Sequence, residues 1–137
     1  MSHFLDTNVL LYSISTAPKE RLKRERAIAL LDDDAGVLSV QVLQEFYVQA
    51  TRPSRSGALT HEQSEALIDA WLRFRVQNLT LAVLQKALSI RKAFGFSYWD
   101  SAIVAAAVAC ECDMLYSEDL SHGQLVEGVT IINPFRG

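Results

Sequence analysis

His3-Phe4-Leu5-Asp6-Thr7-Asn8-Val9-Leu10 opens with a short apolar run and ends it on a carboxylate. A second apolar run with helical character then follows over residues 9–14. His3-Phe4-Leu5, two apolar residues behind a histidine, reads as a short buried strand before a turn residue. A strand passing straight into a helix is the first half of a β–α unit. The same alternation repeats along the chain. Further strands are expected at 37–39, weakly at 76–80, at 114–116 and at 129–132. Helices are expected over 40–51, from Thr60 through Leu67, Ile68, Trp71 and Phe74, over 81–94 and over 98–112. Residues 19–34 are charged, with Leu22, Ala27, Leu30 and Leu31 near helical spacing. Thr60 and Gln63 have the spacing of a capping box, and Gly95 is placed to end a helix. No hairpin signal stands between the strands. The pattern predicts a three-layer α/β/α fold around a parallel sheet of about five strands, as one domain over 1–137.

The chain has 137 residues, 50% hydrophobic and 21% charged, which suits a packed core and argues against disorder. No apolar run reaches the roughly 18 residues of a membrane span, and no secretory signal is visible, so a cytoplasmic location is expected. Thirteen Lys and Arg against sixteen Asp and Glu leave a net charge of −3. Bulk attraction to phosphate backbones is therefore excluded, although a local basic patch is not. Cys110 and Cys112 lie two apart on different faces of a helix, poorly placed to bridge each other. Both are expected to be small core residues.

In open α/β sheets, ligands bind beyond the carboxyl ends of the strands. Asp6 ends the first strand, and Glu45 lies early in the helix after the second. Asp100 lies in the first turn of the apolar helix, and Glu118 and Asp119 follow the fourth strand. Asp119 is preferred to Glu118 as the inward acid. Two like charges 4 Å apart repel by about 4 kcal/mol at an effective dielectric of about 20. A crevice with four carboxylates therefore needs protons or a cation. All-oxygen ligands select hard cations, Mg²⁺ or Mn²⁺, and the chemistry that follows is metal-assisted phosphodiester hydrolysis. Capping is the competing role, for Asp6 before a helix and for Asp100 in Ser97-x-x-Asp100. Asn8 and Ser117 are neighbours that would orient a carboxylate or a bound water, or cap locally.

Arg52 and Arg55 flank a loop beside the helix of Glu45 and are candidates for holding phosphates. The cations from Lys19 to Arg26 are expected to form a solvated face. Trp71 and Phe74 are expected in the core or a dimer face rather than in a base-stacking platform, Tyr98 and Trp99 in the core with substrate contact as the alternative, and His3, His61 and His122 are scattered. The chain lacks the late lysine of a receiver domain, having none after Lys92. Asn8 also stands where a haloacid-dehalogenase-type phosphatase needs a second aspartate.

Phe4-Leu5-Asp6-Thr7-Asn8-Val9-Leu10 resembles the opening of PIN-domain nucleases. Leu43-Gln44-Glu45-Phe46-Tyr47, Tyr98-Trp99-Asp100-Ser101-Ala102 and Leu115-Tyr116-Ser117-Glu118-Asp119-Leu120 resemble the family's other acidic motifs, in order. The length is that of VapC-type toxins. The resemblance implies a Mg²⁺-dependent endoribonuclease from a toxin–antitoxin pair. It implies catalytic and metal-holding roles for Asp6, Glu45, Asp100 and Asp119, and supporting roles for Asn8 and Ser117. It also implies a VapB-type antitoxin partner, a homodimer and a sheet of order 3-2-1-4-5. A DNA-directed nuclease of the family, or a non-catalytic RNA- or protein-binding module on the same fold, are the competing readings.

Overall fold

Strand β1 (His3–Leu5) is buried along its whole length, and every later element is arranged around it. The computed structural model describes residues 2–136. After β1 come α1 (Thr7–Ser13), a single 3₁₀ turn (Pro18–Glu20) and α2 (Arg21–Leu31). Strand β2 (Gly36–Ser39), α3 (Val40–Ala50), α4 (His61–Trp71) and β3 (Arg75–Gln77) follow. Then come α5 (Leu81–Phe94), α6 (Tyr98–Ala109), β4 (Met114–Tyr116), β5 (Leu125–Val126) and β6 (Val129–Ile132). The sheet order is β3-β2-β1-β4-β6-β5.

Strands β1 to β4 and β6 pair in parallel, which requires a crossover between successive strands. From β1 the chain moves outward through β2 to β3, then returns across β1 to β4. Right-handed crossovers in opposite directions put helices on opposite faces. Helix α1 accordingly packs against both α2 and α3, and α3 against α4, while α5 pairs with α6. The reversal leaves a crevice between the carboxyl ends of β1 and β4, the place where such sheets bind ligands.

Side-chain caps set where the helices begin. Ser39, Thr80 and Ser97 each accept an N–H three residues on, and Thr60 with Gln63 forms a complete capping box. Gly95, at φ +78°, closes α5 in the left-handed conformation that glycine adopts freely. The core joins Phe4, Leu5, Leu38, Phe46, Leu115 and Ile131, all fully buried, with the small residues of α6. Trp71 and Phe74 are in that core as expected, Trp71 meeting Phe46 edge-to-face at 4.7 Å. Both cysteines are buried and free, and burial pushes the Cys112 thiol up to about 11.

Three expectations need correction. The sheet has six strands, and its last two form an antiparallel hairpin where no hairpin was expected. Its turn is Glu127-Gly128, both left-handed at φ +46° and +88°. A two-residue turn of that hand matches strand twist, but it lacks the Asn or Asp that usually signals it. Helix α6 stops at Ala109 rather than 112. Cys112 N–H donates to the Ala107 carbonyl, and Glu111 N–H to that of Val108, a Schellman closure with a left-handed glutamate in place of glycine. Strand β3 covers 75–77 rather than 76–80, because Thr80 is taken as the cap of α5.

Candidate active site

Asp6, Glu45, Asp100 and Asp119 line one cavity of about 160 Å³ in the crevice at the ends of β1 and β4. The Asp6 carboxylate is both a cap and a cavity wall. Its Oδ1 accepts from the Thr7 N–H at 2.7 Å, and its Oδ2 from the Ser117 hydroxyl at 2.7 Å. Ser117 is wholly buried and also accepts from the Asp119 N–H at 3.2 Å, so one hydroxyl couples the turns after β1 and β4. Glu45 accepts from the Thr7 hydroxyl at 2.6 Å across 38 residues of sequence. Asn8 Nδ2 donates to Asp119 Oδ2 at 3.4 Å.

Asp100 stands in the first turn of α6. Its N–H donates to Ser97 Oγ at 3.2 Å, and its side chain lines the cavity. Asp6 therefore caps and faces the site at once, whereas at Asp100 the cap is the Ser97 hydroxyl and the carboxylate itself faces the cavity.

Charge in the cavity is uncompensated. Burial pushes Asp6 up to about 6; the Ser117 and Thr7 bonds pull it down, and Asp119 and Glu45 push it further up. Asp119 is also raised, by partial burial first, then by Asp100 and Glu118, with the Asn8 bond opposing. Glu118 behaves oppositely. It turns away and accepts from Lys23 Nζ at 2.7 Å and from the Tyr12 hydroxyl at 2.5 Å. Burial raises its pKa, but the Lys23 and Tyr12 bonds outweigh that, and the net shift is down. Among the two adjacent acids, Asp119 faces the cavity and Glu118 does not.

Arg52 stands at the edge of a neighbouring cavity that shares Glu45 with this one, while Arg55 lines neither. His61 meets the Tyr47 hydroxyl and His122 accepts from the Asn133 N–H, both away from the acids. Trp99, expected in the core, is instead 64% exposed at the mouth of the cavity. The helix behind it is buried from Ser101 to Ala107, but its first turn is not. Sequence reading also left out Thr7 and Gln49. Gln49 was findable, since it lies four residues after Glu45 on the same helix face. Nothing local marks the Thr7 hydroxyl as the partner of Glu45.

The donors are all oxygen, which fits a hard divalent cation. Asn8 Oδ1 is buried without a partner among the described residues and adds an orphaned acceptor beside the acids. Among the described residues no three His, Cys, Asp or Glu side chains stand ready as a ligand cage. Asp6 and Glu45 are held by the hydroxyls of Ser117 and Thr7.

The profile of the PIN domain matches residues 3–125, and the chain belongs to that family. Its members are generally nucleases that depend on divalent metal. Several solved structures share the fold. A toxin–antitoxin complex from Klebsiella pneumoniae is 18% identical with a TM-score of 0.72, covering 98% of each chain. VapC20 of Mycobacterium tuberculosis, described as a toxin that cleaves the sarcin–ricin loop, is 19% identical. Its TM-score is 0.67, over 86% of this chain and 90% of that one. DNA-bound VapBC from Salmonella typhimurium is 19% identical with a TM-score of 0.65, over 96% of each chain. No curated protein matches the chain in sequence. No helix among the described residues is long and apolar enough to cross a membrane.

Proposed function

We propose that the chain is a Mg²⁺-dependent endoribonuclease and the toxin of a toxin–antitoxin pair, with Mn²⁺ able to replace Mg²⁺. The observation that carries this reading is the convergence of Asp6, Glu45, Asp100 and Asp119, from four remote segments, on one cavity. The neighbours described as toxins and toxin–antitoxin complexes support it. A VapB-type antitoxin is the partner expected to cover the cavity, and the working form is a homodimer.

Asp6, Glu45, Asp100 and Asp119 would hold the cation. When bound, it supplies Lewis-acid polarisation of the phosphate and acidifies water at the site. Ser117 and Thr7 orient Asp6 and Glu45 by their hydroxyls. Asn8 holds Asp119, the most exposed of the four. Asp119, the exposed one of the four, is the carboxylate placed to take a proton from water. Leu11 and Ile103 wall the cavity and limit its water.

The test is a calorimetric titration of Mn²⁺ into the purified, antitoxin-free chain and into Asp100→Asn, repeated with a short oligodeoxynucleotide present to supply a phosphate. The expected result is binding in the wild type that is lost in a folded variant, together with loss of RNA cleavage. Equal binding in two folded proteins removes the acids from the metal site and leaves the non-catalytic binding module.

A further inference from the structure

The acid cavity continues past Glu45. A second cavity of about 310 Å³ adjoins it, and Glu45, Gln49 and Trp99 line both. Gln41, Gln44, Val48 and Arg52 complete the second one, so the two form one trough with acids at one end and a cation at the other. Two apolar side chains lie open in it, Trp99 at 64% and Val48 at 56% exposure. The other tryptophan, Trp71, is buried. An indole left in water costs free energy unless something covers it. Trp99 is also held in place. Tyr98 braces its ring edge-to-face at 5.1 Å, and its carbonyl accepts from Gln41 Nε2 at 3.3 Å, tying α6 to α3.

A fixed aromatic face, amide groups that donate and accept, and a guanidinium are the parts that hold an unpaired nucleotide. We propose that the trough is a nucleotide subsite beside the scissile bond. In it Trp99 stacks the base, Gln44 and Gln49 meet its edge, and Arg52 takes a flanking phosphate. The subsite rests on the ribonuclease reading for what happens to the bound strand, though not for the binding itself. Such a site would let a chain of net charge −3 hold RNA. Stacking is insensitive to bulk charge, and the single cation lies at the far end from the acids. A duplex is excluded, because paired bases cannot turn onto an indole.

The probe is an unpaired, dye-labelled RNA of eight nucleotides, titrated in EDTA at low salt into the full chain. Binding is read by anisotropy and, in the wild type, by quenching of tryptophan emission, with Trp99→Ala reporting the share of buried Trp71. Trp99→Ala is expected to weaken binding about tenfold or more, with Trp99→Phe restoring most of it. Arg52→Ala should lower the salt dependence by about one released ion, and Trp99→Ala should leave it unchanged. A fall in affinity that Phe does not restore overturns the proposal. So does equal affinity in Trp99→Ala, or no RNA binding by the wild type. A change in oligomeric state with no change in RNA affinity also overturns it, and gives the face to a protein contact. Mn²⁺ binding by Trp99→Ala keeps the two readings apart. If Asp100→Asn leaves metal binding intact while Trp99 still governs RNA affinity, only the catalytic reading fails.

Discussion

Two groups of acids sit on either side of the turn after β4, and the fold treats them in opposite ways. Glu118 has its own cation, Lys23, and its own hydrogen bond, from Tyr12, with Lys23 also lying 4.9 Å from the Tyr12 ring centre. Asp6, Glu45, Asp100 and Asp119 share a cavity in which no Lys or Arg lines the wall. Adjacent residues of one turn, Glu118 and Asp119, therefore have pKa values shifted in opposite directions. A fold that can neutralise a carboxylate with a lysine one residue away, and leaves four others without one, stores repulsion at the second place. On the proposed reading, a bound cation relieves that repulsion.

The sharpest way to break this comparison is to remove an acid from each group. Asp6→Asn keeps a capping side chain and deletes a buried charge. In the metal-free protein at pH 7 it is expected to raise stability, by less than the roughly 3 kcal/mol that a shift from 3.8 to about 6 represents because an amide can accept only one of the two hydrogen bonds, while abolishing Mn²⁺ binding. Thermal unfolding with and without Mn²⁺ measures both. A loss of stability would mean that the cavity is not strained.

The pH dependence separates the two groups by sign. Asp6 has its folded pKa raised from 3.8 to about 6, so the native state holds the extra proton between those values. Stability from this group is present at acid pH and is lost as pH rises through about 6. Glu118 has its folded pKa lowered, so its contribution is present above the ordinary glutamate range and is lost on acidification. Urea midpoints of the metal-free chain from pH 4 to 7 should fall with pH, and in Asp6→Asn that fall should be largely gone.

A smaller effect is expected at the other group. Lys23→Met leaves Glu118 with Tyr12 alone. The lysine is 40% exposed and its pair is screened by solvent, so the loss is about 1 kcal/mol or less, read in urea at pH 7. Mn²⁺ binding should persist in that variant, and its loss would join the two groups into one site. Smallest is Tyr12→Phe, about 0.5 kcal/mol, with its edge-to-face contact to Phe135 at 4.8 Å retained. Double-mutant analysis with Lys23→Met should show the two changes to be less than additive, since both act on Glu118.

Much of this arrangement was legible before any coordinates. The strand–helix alternation carried the parallel sheet, because strands buried on both faces must be short continuous apolar runs. Asp6, Glu45, Asp100 and Asp119 could be named because a parallel sheet brings all its carboxyl ends to one side. What stayed hidden depended on backbone hand or on contacts across the chain. The Glu127-Gly128 hairpin and the closure of α6 at Glu111 both use left-handed residues of a type that usually avoids that conformation. Glu118 and Asp119 are chemically alike and adjacent, and no local rule orients one against the other.

The sequence by itself determined the fold class and the set of acids, since hydrophobic period and strand-end position are local properties of the chain. Only the tertiary structure decided which acids share a cavity, that Thr7 reaches Glu45, that Lys23 reserves Glu118, and that Trp99 stands in water. Each of these turns on a few ångströms between residues tens of positions apart. Those distances are set by how the helices pack on the sheet, which no local pattern encodes.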